Sequence, residues 1–142
     1  MEDTASRTAP SEDISLYLHI PFCETKCPYC DFNTYAQIEN LMAPYSEALV
    51  REIDLWGKLL KRPDIGTIFF GGGTPSYLPP DNITTILEAV RSSFRVREDA
   101  EVTIESNPDD FNLEGLRQYL HSGVNRLSIG FQTLSNDLLK VL

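Results

Sequence analysis

Short β-branched or apolar runs alternate along this chain with longer stretches of helical period, and that alternation confines it to an α/β fold built on a parallel sheet. The spacing predicts a first strand at Ile14–Ile20, then a helix after Ala43-Pro44 with Leu49, Ile53, Trp56 and Leu60 on one face. A second strand is expected at Thr67–Phe70. Pro79-Pro80-Asp81 opens a second helix, with Asp81 or Asn82 as N-cap and Ile83, Ile86, Leu87, Val90 and Phe94 inward. A third strand near Glu101–Glu105 leads into a helix from Asn112 to Ser122, where Leu113, Leu116 and Leu120 face inward and Gly123 is the stop. The fourth strand is Arg126–Ile129, and a fourth helix begins near Ser135. Trp56 and Leu60 are assigned to the core, and Asp109-Asp110 to the turn that opens the third helix.

This amounts to about three and a half βα units, whereas a full eight-unit barrel takes about 250 residues. A parallel sheet stopped at that point has an open edge and uncovered apolar faces, so residues 14–142 are expected to be one incomplete unit of a larger protein. Residues 1–13 are small, polar and acidic with no hydrophobic period, and a disordered lead is expected there. They show neither a signal-peptide pattern nor an arginine-rich transit pattern, so the expected compartment is the cytoplasm. No apolar stretch approaches the roughly 20 residues of a membrane span. With 21 acidic against 12 basic residues and a net charge of -9, the composition argues against a nucleic-acid partner, because phosphate binding rests on clustered Lys and Arg.

All the chemically suggestive residues follow strand ends, the rim where parallel α/β folds assemble their sites. After the first strand comes Cys23-Glu24-Thr25-Lys26-Cys27-Pro28-Tyr29-Cys30, a C-x3-C-x2-C spacing that holds the only three cysteines of the chain. Three thiolates on one loop can ligate three irons of a 4Fe-4S cluster and leave the fourth without a protein ligand. An open iron suits binding and reduction of a small molecule, for which S-adenosylmethionine is the expectation: its amino and carboxylate groups can chelate that iron. Zinc is the alternative, with His19 as fourth ligand, although His19 lies in a strand-like run and the spacing matches no common zinc pattern. A disulfide framework is disfavoured by the odd number of thiols.

Gly71-Gly72-Gly73-Thr74-Pro75 follows the second strand. It is either a tight turn or a place where backbone without Cβ approaches a ligand, with carbonyls that accept from an ammonium and a Thr74 hydroxyl. It lacks the Gly-Lys-Ser/Thr ending of a phosphate loop, and no G-x-G-x-x-G is present. Glu105 can accept from ribose hydroxyls or pair with Arg126, and Gln132 can donate and accept at once or be a surface residue. Tyr17 shares a strand face with His19 and reads equally as packing aromatic or ligand contact. His19 and His121 have no partner motif that would make either a heme ligand, and a satisfied or exposed role is read for both.

Together these segments resemble the N-terminal part of a radical S-adenosylmethionine protein, of the group containing the oxygen-independent coproporphyrinogen III oxidases (HemN) and the heme chaperones (HemW). The resemblance rests on Leu16-Tyr17-Leu18-His19-Ile20-Pro21-Phe22-Cys23, the cysteine loop, Gly71-Gly72-Gly73-Thr74-Pro75-Ser76-Tyr77-Leu78, Thr103-Ile104-Glu105-Ser106-Asn107-Pro108 and Arg126-Leu127-Ser128-Ile129-Gly130-Phe131-Gln132, in that order. It implies the first half of a partial (β/α)6 TIM-like barrel, with zinc reduced to a remote reading. It implies Cys23, Cys27 and Cys30 as ligands of a 4Fe-4S cluster, and Tyr17, Tyr29, Gly72, Gly73, Thr74, Glu105 and Gln132 as S-adenosylmethionine contacts. The family's next contact, an arginine in the fourth helix, would fall beyond Leu142. Two residues after the third cysteine the decarboxylating oxidases resemble one another in having a fourth cysteine; Phe32 stands there in this chain. The resemblance therefore leans to the chaperone branch, with heme or a porphyrin as ligand and acceptor hemoproteins as partners, over an enzyme that oxidatively decarboxylates coproporphyrinogen III.

Overall fold

The computed structural model describes residues 14–110 and 112–140, so the expected lead at 1–13 lies outside the described residues. Four strands form one sheet in the order β1-β4-β5-β6: β1 (Ile14–Ile20), β4 (Asp64–Gly72), β5 (Arg95–Ser106) and β6 (Arg126–Ile129). Every pairing is parallel, as the crossover helices α1 (Met42–Leu59), α2 (Pro80–Ser93) and α3 (Leu113–Ser122) require. A separate two-stranded pair, β2 (Phe22–Cys23) with β3 (Tyr35–Ala36), brackets the cysteine loop, and α4 (Asn136–Leu139) follows the last strand. This is the α/β parallel architecture expected from the alternation of runs.

Strand alternation sorts the side chains onto two faces. Leu18 and Ile20, Ile68 and Phe70, and Val102 and Ile104 join Ile83, Ile86, Leu87 and Val90 of α2 in one buried cluster. The opposite face carries Tyr17, His19, Phe69, Thr103, Glu105, Arg126 and Ser128. The helical face is thus the apolar core, and the other face is polar.

Several boundaries and faces differ from the sequence expectation. β4 and β5 are both longer than expected, and Gly71 and Gly72 are the last residues of β4 rather than loop. No side chain caps α2. Pro80, which has no N–H to satisfy and a fixed φ, starts the helix, and the Pro79 carbonyl accepts the Asn82 N–H at 2.9 Å. Asn82 turns its amide instead to Ser46 Oγ of α1, at 3.0 Å.

The assignment of Trp56 and Leu60 to the core is overturned: Trp56 is 47% exposed and Leu60 is also exposed. α1 lies beside β1, an edge strand, so the outer part of its stripe lines a groove along the free strand edge while Ile53 alone of that stripe is fully buried. In α3, likewise, Tyr119 and Ser122 are buried, whereas Leu113 is exposed and Leu120 is 70% exposed. β6 is four residues long and is the last strand of the sheet, so the leucine flank meets no facing layer among the described residues. The ends of α3 do follow the sequence: Asn112 Oδ1 accepts the Gly115 N–H at 2.8 Å, and Gly123 closes the helix at φ 101°.

Ile86, with no exposed surface, sits at the centre of the core. Ile86→Ala is expected to lower stability by about 2–5 kcal/mol, read as a reduced midpoint in urea unfolding at unchanged slope.

Candidate functional site

The C-terminal ends of β1, β4, β5 and β6 lie side by side because parallel registry aligns them: Ile20 pairs with Gly72, and Ser106 with Ile129. Their loops close around one cavity of about 230 Å³. Cys23, Cys27, Cys30 and Tyr29 enter it from the β1 side, Gly72, Gly73 and Thr74 from β4, Glu105 from β5, and Gln132 from the segment after β6. Tyr17 is the one sequence-predicted site residue that does not line this cavity. It stands lower on the polar face of β1, stacked on Phe69 at 6.1 Å.

The cysteine loop is pinned at both ends. Tyr35 N–H donates to Pro21 O at 2.8 Å, closing β2 on β3, and Cys30 N–H donates to Cys27 O at 3.1 Å in the turn between. His19 Nε2 lies 3.0 Å from the Asn33 carbonyl, which only accepts, so Nε2 carries the proton and Nδ1 accepts the Tyr17 hydroxyl at 3.0 Å. Both nitrogens of His19 are thereby used. His19 does not line the cavity that the three thiols share, so it is not gathered with them as a fourth ligand in this structure. Burial and then the Glu105 carboxylate push the Tyr17 phenol above its usual range, and hydrogen bonding to Cys27 does the same for Tyr29.

The glycine run works by close approach. Gly73 N–H donates to Ile20 O and Thr74 N–H to Phe22 O, both at 2.8 Å. A Cβ on Gly73 would stand 2.6 Å from Phe22 O and 3.0 Å from Cys23 Sγ. At φ 121° Gly72 has a conformation side chains avoid, and a Cβ there would meet the His19 ring at 2.6 Å. Its N–H donates to Glu105 Oε2 at 3.3 Å. Glu105 does not pair with Arg126: the register sets Glu105 against Ser128, and Arg126 lies 3.6 Å from Glu101.

Sequence reasoning missed a network under the rim. Asp110 is not simply a turn residue. Its Oδ2 accepts the Asn107 N–H at 2.9 Å and the Ser76 hydroxyl, joining the loops after β4 and β5. Tyr119 Oη donates to Ser76 O at 3.2 Å. Ser76, Asn107 and Asp110 lie in or beside motifs the sequence displays, and the Asn107–Asp110 bond is a local turn contact, but the Ser76–Asp110 bond spans 34 residues, a pairing that no local pattern encodes. Ser106, Asn107, Thr34 and Lys26 also line the cavity.

Among the described residues no group of three His, Cys, Asp or Glu side chains is gathered closely enough to hold a metal ion as a preformed site. The donor set nevertheless fits a thiolate-bound cluster: all three thiols are free and line one cavity. Two further cavity-lining residues, Thr34 (3% exposed) and Ser106 (5% exposed), have buried hydroxyls with no partner.

Comparison with known proteins bears on this geometry directly. The model of the radical SAM superfamily matches residues 17–142. The chain belongs to that superfamily, whose members are built around a 4Fe-4S cluster and S-adenosylmethionine. Its relatives include the heme chaperone HemW of Escherichia coli, 42% identical over 130 residues that cover 91% of this chain and 34% of the relative. The zebrafish (Danio rerio) protein named radical S-adenosyl methionine domain-containing protein 1, mitochondrial, is 38% identical over 144 residues, covering 100% of this chain and 32% of the relative. Among solved structures, the coproporphyrinogen III oxidase HemN of Escherichia coli, a radical SAM enzyme, superposes with a TM-score of 0.85 at 32% identity, over 93% of this chain and 31% of that one. The chain thus spans about a third of the length of the relatives it matches. The sheet and helices are those of the radical SAM barrel seen in HemN.

Two outcomes follow from this geometry. Gly73→Ala forces the β4 turn away from Cys23 and is expected to lower iron affinity about 10-fold or more, measured as iron retained after reconstitution and chelator challenge. Burial, with Asp110 nearby, pushes the Tyr119 phenol up to about 12 from 10.0. A raised folded-state value means that this contribution is intact below about pH 10 and is lost as pH rises toward 12. Tyr119→Phe should flatten the alkaline loss of stability over that window in urea unfolding.

Proposed function

We propose that this chain is the cluster-bearing part of a HemW-like heme chaperone, which binds heme and passes it to acceptor hemoproteins. The observation that carries this reading is the identity of about 40% to HemW proteins over roughly nine-tenths of the chain, as in Escherichia coli and Bacillus subtilis. Phe32 adds support, because it stands where the resemblance to the decarboxylating oxidases calls for a fourth cysteine. Residues 14–142 act as one radical SAM core unit in this reading, and its compartment is a reducing one such as the cytoplasm. No helix among the described residues is long and apolar enough to cross a membrane.

Within this reading Cys23, Cys27 and Cys30 hold the 4Fe-4S cluster, and its fourth iron stays open to S-adenosylmethionine. When bound, the pair supplies one-electron chemistry at the sulfonium. The residues of the chain position and shield it. Gly72 and Gly73 offer backbone without Cβ, Glu105 a carboxylate already oriented by the Gly72 N–H, Gln132 an amide, and Tyr29 an aromatic ring on the cysteine loop. Tyr17, held neutral and hydrogen-bonded to His19, backs the cavity from below. With both ring nitrogens engaged, His19 is read as a satisfied histidine and not as a heme ligand.

The second reading is an oxygen-independent coproporphyrinogen III oxidase, favoured by the superposition on HemN. Anaerobic reconstitution with iron and sulfide, followed by reduction and addition of S-adenosylmethionine and coproporphyrinogen III, separates the two. The chaperone reading expects no decarboxylated porphyrin by mass spectrometry and a saturable heme titration followed at the Soret band. Protoporphyrinogen formed with stoichiometric 5'-deoxyadenosine overturns it in favour of the oxidase. Cys27→Ala is expected to lose the cluster under either reading; an unchanged iron stoichiometry would sink the ligand assignment.

A further inference from the structure

Thr74 is placed differently from a simple ligand contact. Its Oγ1 lies 3.6 Å from Cys23 Sγ, within hydrogen-bonding range of a sulfur acceptor. Asn107 Nδ2 donates to the same Oγ1 at 3.5 Å. A hydroxyl has one proton to give, and the amide occupies an acceptor position, so the remaining hydrogen is directed toward the sulfur. Two further hydrogen bonds and one missing side chain fix this arrangement. Thr74 N–H is bound to Phe22 O, the neighbour of Cys23; Gly73 has no Cβ to hold Cys23 off; and Asn107 is tethered through its own N–H to Asp110. Thr74 is only 9% exposed, so water competes little for the bond.

We propose that the Thr74 hydroxyl is a tuning donor to the Cys23 sulfur, with Asn107 as the positioning residue that orients it, and that the bond raises the reduction potential of the cluster. The inference rests on the cluster reading above and gives the Thr74 hydroxyl a role toward the cluster in addition to its place in the cavity lining. Its physical basis is charge. A donor proton at a ligating sulfur stabilises the more negative, reduced state more than the oxidised one, and hydrogen bonds to the sulfurs are among the factors that set the potential of such clusters.

The test is a redox titration of the reconstituted protein followed by electron paramagnetic resonance, without S-adenosylmethionine. Thr74→Val keeps the shape and removes the donor, and its midpoint is expected to move to more negative potential at unchanged iron and sulfide content. Thr74→Ser keeps the hydroxyl and should return the midpoint to that of the parent. Asn107→Ala leaves the hydroxyl but not its orientation, so a smaller shift of the same sign is expected. A midpoint in Thr74→Val equal to the parent's overturns the proposal, as does an equal shift in Thr74→Ser. Should Thr74→Val fail to assemble its cluster, Asn107→Ala decides, and an unmoved midpoint there is equally fatal. A parent protein that assembles no 4Fe-4S cluster is a different failure, that of the cluster reading itself.

Discussion

Two backbone hydrogen bonds organise this molecule: Gly73 N–H to Ile20 O and Thr74 N–H to Phe22 O. They form only because the end of β4 has no side chain at the contact. A Cβ on Gly73 would collide with the Phe22 carbonyl, and one on Gly72 with the His19 ring. Each bond contributes about 1 kcal/mol to stability, a modest amount. Their positional effect is larger. They hold the start of the cysteine loop against the β4 turn, so the first thiol faces the residues that β4 and β5 deliver to the same rim.

The rest of the site depends on what that contact leaves open. Polar residues on the inner face of the sheet are satisfied mainly by one another: Tyr17 by His19, His19 by Asn33 O, and Arg126 by Glu101 and Thr103. Around the cavity the pattern changes, with Thr34 and Ser106 left unpartnered although buried. Two buried hydroxyls beside the cavity have no partner within the protein, and the cavity itself is the space left for an occupant. Superfamily membership gives the occupant's class, an iron–sulfur cluster with S-adenosylmethionine.

Much of this was legible in the sequence, for identifiable reasons. The inward face of α2 and the Asn112 and Gly123 caps of α3 are local patterns, set by helical period and by the demands of helix ends. The cysteine and glycine motifs announce themselves because thiolate ligation and Cβ-free backbone leave few substitutes. Trp56, Leu60, Leu113 and Leu120 were misread because periodicity identifies an apolar stripe but not whether a layer faces it, and α1 and α3 flank the two ends of the sheet. The short β2–β3 pair and the Ser76–Asp110 bond escaped notice because each joins separate segments through contacts of only one or two groups.

The most direct measurement is electron paramagnetic resonance of the anaerobically reconstituted, dithionite-reduced protein before and after addition of S-adenosylmethionine. The account predicts a single reduced 4Fe-4S signal whose g-values shift on addition, since the added molecule occupies the iron that three cysteines leave open. A chain that takes up zinc but no cluster, or a cluster signal indifferent to S-adenosylmethionine, would contradict it.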